Sequence, residues 1–164
     1  METRLPDPPA EMSQMEWFLG NWDVVSRYLD ENDRWIEESI KTEHRLILGG
    51  NVLFEHFGGP LFGKPFEAWS LRKFNPDLRK WEQRWVDTSP GGFADWTGSW
   101  HQDTATFIGN PNRSLEDDGT LAQEAAREVF FDITPRSFNW AYERTADGGV
   151  TWKAVWTLSY QRAE

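Results

Sequence analysis

Apolar and polar residues alternate with a period of two along most of this chain, the pattern of strands with one buried and one exposed face. The clearest case is near the end. Trp152, Ala154, Trp156, Leu158 and Tyr160 fall on one face, and Thr151, Lys153, Val155, Thr157 and Ser159 on the other. The same test groups Trp22, Val24, Ser26 and Tyr28, then Trp96 and Trp100 with Gly98 between them, then Phe138, Trp140 and Tyr142. Residues 125–134 read with Arg127, Val129, Phe131 and Ile133 inward, against Glu128, Phe130 and Asp132. Helical spacing occurs once, at Met12, Met15, Phe18 and Leu19, and predicts a short helix over 11–19 that stops at Gly20. The proline-rich residues 1–10 before it read as a flexible arm.

Turn residues divide the rest into ten predicted strands, at 21–30, 34–48, 51–57, 66–74, 80–88, 93–101, 104–108, 125–134, 137–144 and 150–162. Residues 58–65, GGPLFGKP, read as a loop, and 110–124 as the one long polar loop. Short connections make neighbouring strands antiparallel, and a meander of about 8–10 twisted strands closes on itself because closure removes exposed edges. The expected fold is therefore all-β: an antiparallel up-and-down β-barrel with a short N-terminal helix, forming a single domain over 11–164.

Composition narrows the function. The absence of cysteine removes disulfides, thiol catalysis and thiolate metal sites. The first residues lack the pattern of a signal peptide, and no apolar run approaches the roughly 18 residues of a membrane span. The chain reads as a soluble, cytoplasmic protein. A formal net charge of -10 argues against nucleic acid and anionic membranes as partners. Eleven tryptophans and eleven phenylalanines exceed what a domain of 164 residues needs to fold. They fit either a heavily aromatic core or the wall of a cavity for a flat, greasy molecule.

Candidate chemistry follows from polar residues on aromatic faces. In 80–88 the tryptophan face is Trp81, Gln83, Trp85 and Asp87, so Gln83 and Asp87 point inward too. A buried carboxylate needs a partner, and Arg127 and the indole N–H groups are the candidates; alternatively Asp87 caps the Ser89-Pro90-Gly91-Gly92 turn. In 51–57 the two faces are Leu53, Glu55, Phe57 and Val52, Phe54, His56, so either Glu55 or His56 is inside. No phosphate loop, dinucleotide fingerprint or nucleophile elbow occurs. His44, His56 and His101 lack metal-ligand spacing. No metal and no cofactor are expected.

Phe18-Leu19-Gly20-Asn21-Trp22 resembles the G-x-W signature that opens lipocalin-type barrels. More of the chain is similar to an uncharacterised bacterial lipocalin-like (calycin-type) family catalogued as a domain of unknown function. The matching stretches are Leu48-Gly49-Gly50 with Phe54-Glu55, Trp85-Val86-Asp87, Thr97-Gly98 and Ser159-Tyr160-Gln161-Arg162. The resemblance implies a calycin barrel in which Trp22 closes one end against a basic residue near the last strand. It implies no particular reaction.

Two functions are expected. The first is binding of a small hydrophobic or aromatic ligand by Gln83, Trp85, Trp96, Trp100, Arg127, Trp140 and Tyr142. The alternative is a cofactor-free enzyme of isomerase, cyclase or dehydratase type acting on a hydrophobic metabolite, with Glu55, His56 and Asp87 as catalytic groups. An open chamber holding an ionisable group favours the enzyme, and a solid interior sinks both. A second copy of the chain is the other candidate partner.

Overall fold

Ten strands form in the computed structural model, which describes residues 4–164. They are Gly20–Leu29 (β1), Trp35–Ile47 (β2), Val52–Leu61 (β3), Lys64–Asn75 (β4), Lys80–Asp87 (β5), Phe93–His101 (β6), Thr104–Gly109 (β7), Ala125–Phe131 (β8), Ser137–Thr145 (β9) and Lys153–Arg162 (β10). Each pairs antiparallel with the next, and β1 also pairs with β10, so the meander closes into a barrel. This is the closed antiparallel meander that the alternation predicts, and it fits the lipocalin-like barrel that the resemblance implies. Residues 1–3 of the expected arm lie outside the described residues. From the rest of the arm, the Pro6 carbonyl accepts from Asn51 Nδ2 at 2.8 Å.

The N-terminal helix, Ala10–Phe18, is 3₁₀ rather than α. Its buried residues are Met12, Met15 and Phe18. The segment is two short 3₁₀ pieces meeting at a kink at Met15, and the spacing of three keeps these residues on the barrel side. The helix plugs one end. Gly20 begins β1 with φ +119, and a Cβ there would collide with Arg162 Nη1. Arg162 lies over the Trp22 ring, 4.2 Å from its centroid, and donates to the carbonyls of Leu19 at 2.9 Å and Pro135 at 2.8 Å. The G-x-W segment and the last strand thus lock this end, as the resemblance implies. Trp22 is 1% exposed, and burying an indole of its size is worth about 4–6 kcal/mol before conformational entropy is counted.

Three local expectations are corrected. Residues 58–61 and 64–65 are strand, not loop, and Pro60 pairs with Pro65 across a two-residue turn. Gly59 permits this: Ile40 of β2 occupies the space where its Cβ would stand. In β10 the register shifts between Ala154 and Trp156. One extra residue reverses the facing of everything before it, so Ala154 pairs with Glu143, and Trp152 lies outside the strand. In β8 the faces are opposite to those expected. Glu128 and Phe130 are buried, while Val129, Phe131 and Ile133 are not. Pairing dictates this, because Phe130 stands opposite Trp140 and Glu128 opposite Tyr142 of β9.

Candidate functional site

Above the plug the barrel interior is layered. Phe18, Phe130, Phe138 and Tyr160 form the first layer; Phe138 and Tyr160 stack with centroids 4.0 Å apart. Next come polar side chains from four strands: His44 of β2, Glu55 of β3, Ser70 and Arg72 of β4, and Gln83 of β5, all 3% exposed or less. Glu128 of β8 joins them at 5%. Beyond this layer is a chamber of about 260 Å³, walled mainly by Phe57, Trp85, Trp96, Trp140, Tyr142 and Trp156. Asp87, Gly92, Phe93 and Asn110 complete its lining at the far end, where Phe93 is 82% exposed. Adjacent walls stand nearly at right angles: Trp96 to Tyr142 at 80° and Trp140 to Trp156 at 82°.

The polar layer contains one well-matched carboxylate. Arg72 Nη1 and Ser70 Oγ each donate to Glu55 Oε2 at 2.7 Å. His44 Nδ1 lies 2.7 Å from the Phe18 carbonyl. A carbonyl only accepts, so Nδ1 carries a proton, and Nε2 is turned to Glu55 Oε1, 3.4 Å away. Burial opposes the charge on Glu55, but the Arg72 guanidinium, His44 and Ser70 outweigh it and hold the carboxyl well below the usual range. Arg72 also lies against two rings, 4.7 Å from the centroid of Phe18 and 5.4 Å from that of Phe130.

Glu128 is the opposite case. Its donors are neutral: the Gln83 amide, with Nε2 3.2 Å from each of its oxygens, and the Trp140 indole. Burial pushes its carboxyl up to about 7, against a pull from Arg72, Gln83 and Trp140 and with a further push from Glu55. Such a group exchanges a proton near neutrality, as a general acid or base must. Burial also raises the Tyr160 phenol well above its ordinary value, with the Glu55 charge adding to the effect.

The predicted site residues divide accordingly. Gln83, Trp85, Trp96, Trp140 and Tyr142 face the interior, and all but Gln83 line the chamber itself. Glu55 is the inward member of its strand. His56, its rival, is on the outside, 2.9 Å from Glu67. Asp87 is at the chamber's far end and accepts from Trp85 Nε1 at 2.7 Å and from the Ser89 backbone at 2.8 Å, so it caps the turn as well. Two placements are corrected. Arg127 points outward with the reversed face of β8, pairing with Glu143 at 2.6 Å beneath Trp152. Trp100 faces in but lies at the plugged end, 5.7 Å from Trp17, because β6 runs past the chamber. Arg72, Ser70 and Glu128 were not foreseen. Alternation of Ala68, Ser70, Arg72 and Phe74 in β4 carried the signal for the first two.

A protein-family model described as "Protein of unknown function (DUF1579)" matches residues 7–162. No curated protein matches the chain. Among solved structures, the barrel is similar to Rv2717c from M. tuberculosis, with a TM-score of 0.62 at 16% identity over 96% of this chain and 100% of that one. It is also similar to the S-type phycobiliprotein lyase CPES from Guillardia theta, with a TM-score of 0.58 at 9% identity over 93% and 92%. At these identities the likeness concerns the fold.

Proposed function

The chain belongs to the DUF1579 family of proteins of unknown function, and on that premise we propose that its barrel binds a small aromatic or otherwise flat hydrophobic molecule in the interior chamber. One observation carries this reading: the interior is hollow on the side away from the helix, and the hollow is walled by aromatic rings. A core built only for stability is packed to crystal density. An apolar cavity of about 150 Å³ is enough to hold benzene, so about 260 Å³ suits a molecule of roughly two fused rings. The similar barrel of a phycobiliprotein lyase accords with a fold that handles small molecules. Calorimetric titration with indole and 2-naphthol tests the reading. One-to-one binding is expected, and Ala126→Trp, which fills the chamber without removing a wall, abolishes it. Failure of both probes, or binding that survives the filled chamber, overturns it.

A second reading is favoured by Glu128. A carboxyl near neutrality inside an aromatic chamber is the equipment for proton transfer within a hydrophobic substrate. In an isomerisation, Glu128 takes a proton from one carbon and returns it to another, with no cofactor. Turnover of a bound ligand that Glu128→Gln abolishes while binding persists supports catalysis; a ligand recovered unchanged supports carriage.

A further inference from the structure

The charges lining the chamber do not balance. Three carboxyl groups, Glu55, Asp87 and Glu128, face one guanidinium, Arg72. Arg72 is committed to Glu55 at 2.7 Å, so that pair is close to neutral as a unit. Asp87 is spent on the turn and on Trp85. Glu128 is left with neutral donors, the Gln83 amide at 3.2 Å and the Trp140 indole, 5% exposed and turned to the chamber. Around it stand electron-rich rings at near right angles. A ring face attracts a cation, and a box of ring faces with one unmatched carboxylate is a recognised way to hold an organic ammonium.

Resting on the chamber reading above, we propose that the site selects organic cations: an aromatic amine, or an amine on a two-ring body, whose ammonium pairs with Glu128 while its rings lie among Trp85, Trp96, Trp140 and Trp156. Neutral isosteres fill the same space but leave Glu128 without a partner. Anionic isosteres meet the surplus negative charge. The acidic surface, with a net charge of -10 over the chain, draws cations toward the mouth as well.

Three probes of one shape separate the possibilities: tryptamine, indole and indole-3-acetate, titrated by calorimetry into the intact protein. Tryptamine is expected to bind at least about tenfold more tightly than indole, and indole-3-acetate weakest. Glu128→Gln brings the ratio of tryptamine to indole down to about one, with circular dichroism confirming the fold. A measurement on the unaltered protein stands beside this variant. The groups facing Glu128 are Arg72 from β4, Glu55 from β3, Gln83 from β5, Trp140 and Tyr142 from β9 and Tyr160 from β10. Glu55 titrates far below neutrality and Tyr160 far above it. Tryptamine affinity therefore falls about tenfold per pH unit below pH 7 as Glu128 takes up its proton, and indole affinity does not follow. Equal or tighter binding of indole or indole-3-acetate overturns the preference for cations and leaves the chamber reading standing. If none of the three binds, both are overturned.

Discussion

Two carboxyl groups share this barrel's interior and live in opposite circumstances. Glu55, toward the plugged end, has a guanidinium, a hydroxyl and an imidazole around it. Glu128, in the same layer, has only neutral donors, the Gln83 amide and the Trp140 indole. Both are almost fully buried, so exposure does not distinguish them; partners do. A buried charge with its partners in place belongs to the scaffold, because removing either member leaves the other stranded. A buried carboxyl without them is a standing demand for a proton or a ligand. The layer between plug and chamber therefore performs two jobs with one residue type, and substitutions should pull the two apart.

The largest effect is expected at the matched group. Arg72→Met strands Glu55 in the interior and should lower stability by about 3–5 kcal/mol, read from urea denaturation at pH 7. Adding Glu55→Gln to that variant should restore much of the loss, since the stranded charge is then gone. Glu55 has its folded-state value depressed, so its contribution is present above the ordinary carboxylate range and fades as pH falls below it. If Arg72→Met proves harmless, Glu55 is not held by its partners and the contrast with Glu128 collapses.

At the unmatched group the sign reverses. The folded-state value of about 7 stands above the ordinary 4.5, so the fold prefers the neutral acid. That preference contributes fully below about pH 4.5 and is lost as pH rises through 7. Glu128→Gln keeps a neutral group at every pH. It should therefore match the parent near pH 4 and exceed it by about 3 kcal/mol at pH 9, measured by thermal or urea denaturation across that range. A variant less stable than its parent at pH 9 would mean that Glu128 is matched after all.

The plugged end offers a smaller test. Arg162→Met removes charged hydrogen bonds to Leu19 and Pro135 and the contact over Trp22. A loss of about 1–2 kcal/mol is expected, with ligand binding unchanged because Arg162 is remote from the chamber. A change in affinity would show that the two ends are coupled.

The same contrast explains what the sequence made legible. Alternation reads well where one face is wholly apolar or small: Trp22, Val24, Ser26 and Tyr28 in β1 all point inward. It fails in β8, because the inward face carries the unmatched Glu128 and the outward one carries Val129 and Phe131. A rule that assigns the greasier face to the core must misread a strand whose core face holds a site. The hairpin register held the missing information: with Trp140 inward, the short turn at 132–136 brings Phe130 opposite it and Glu128 inside. The bulge at Val155 has no comparable signal, and with Arg127 turned outward the other expected partner of Asp87, an indole N–H, serves: that of Trp85. Arg72 was within reach, since an inward Glu55 requires a cation and β4 alternation offers one.

The smallest effect is expected at His56, and it tests the placement most directly. Glu55 and His56 are neighbours in β3, and a one-residue shift in register would exchange them. As the strand stands, His56 is on the outer surface beside Glu67, with side chains 40% and 59% exposed. A polar contact so exposed is worth at most about 0–1 kcal/mol, and neither group reaches the chamber. His56→Ala should therefore change stability by less than about 0.5 kcal/mol and leave probe binding and its pH dependence as they were. Glu55→Ala, one position away, should unfold a large fraction of the protein. If the two variants behave alike, β3 is misregistered and the matched carboxylate is not Glu55. If they differ as expected, the buried layer is fixed in place, and any activity that tracks pH near 7 belongs to Glu128.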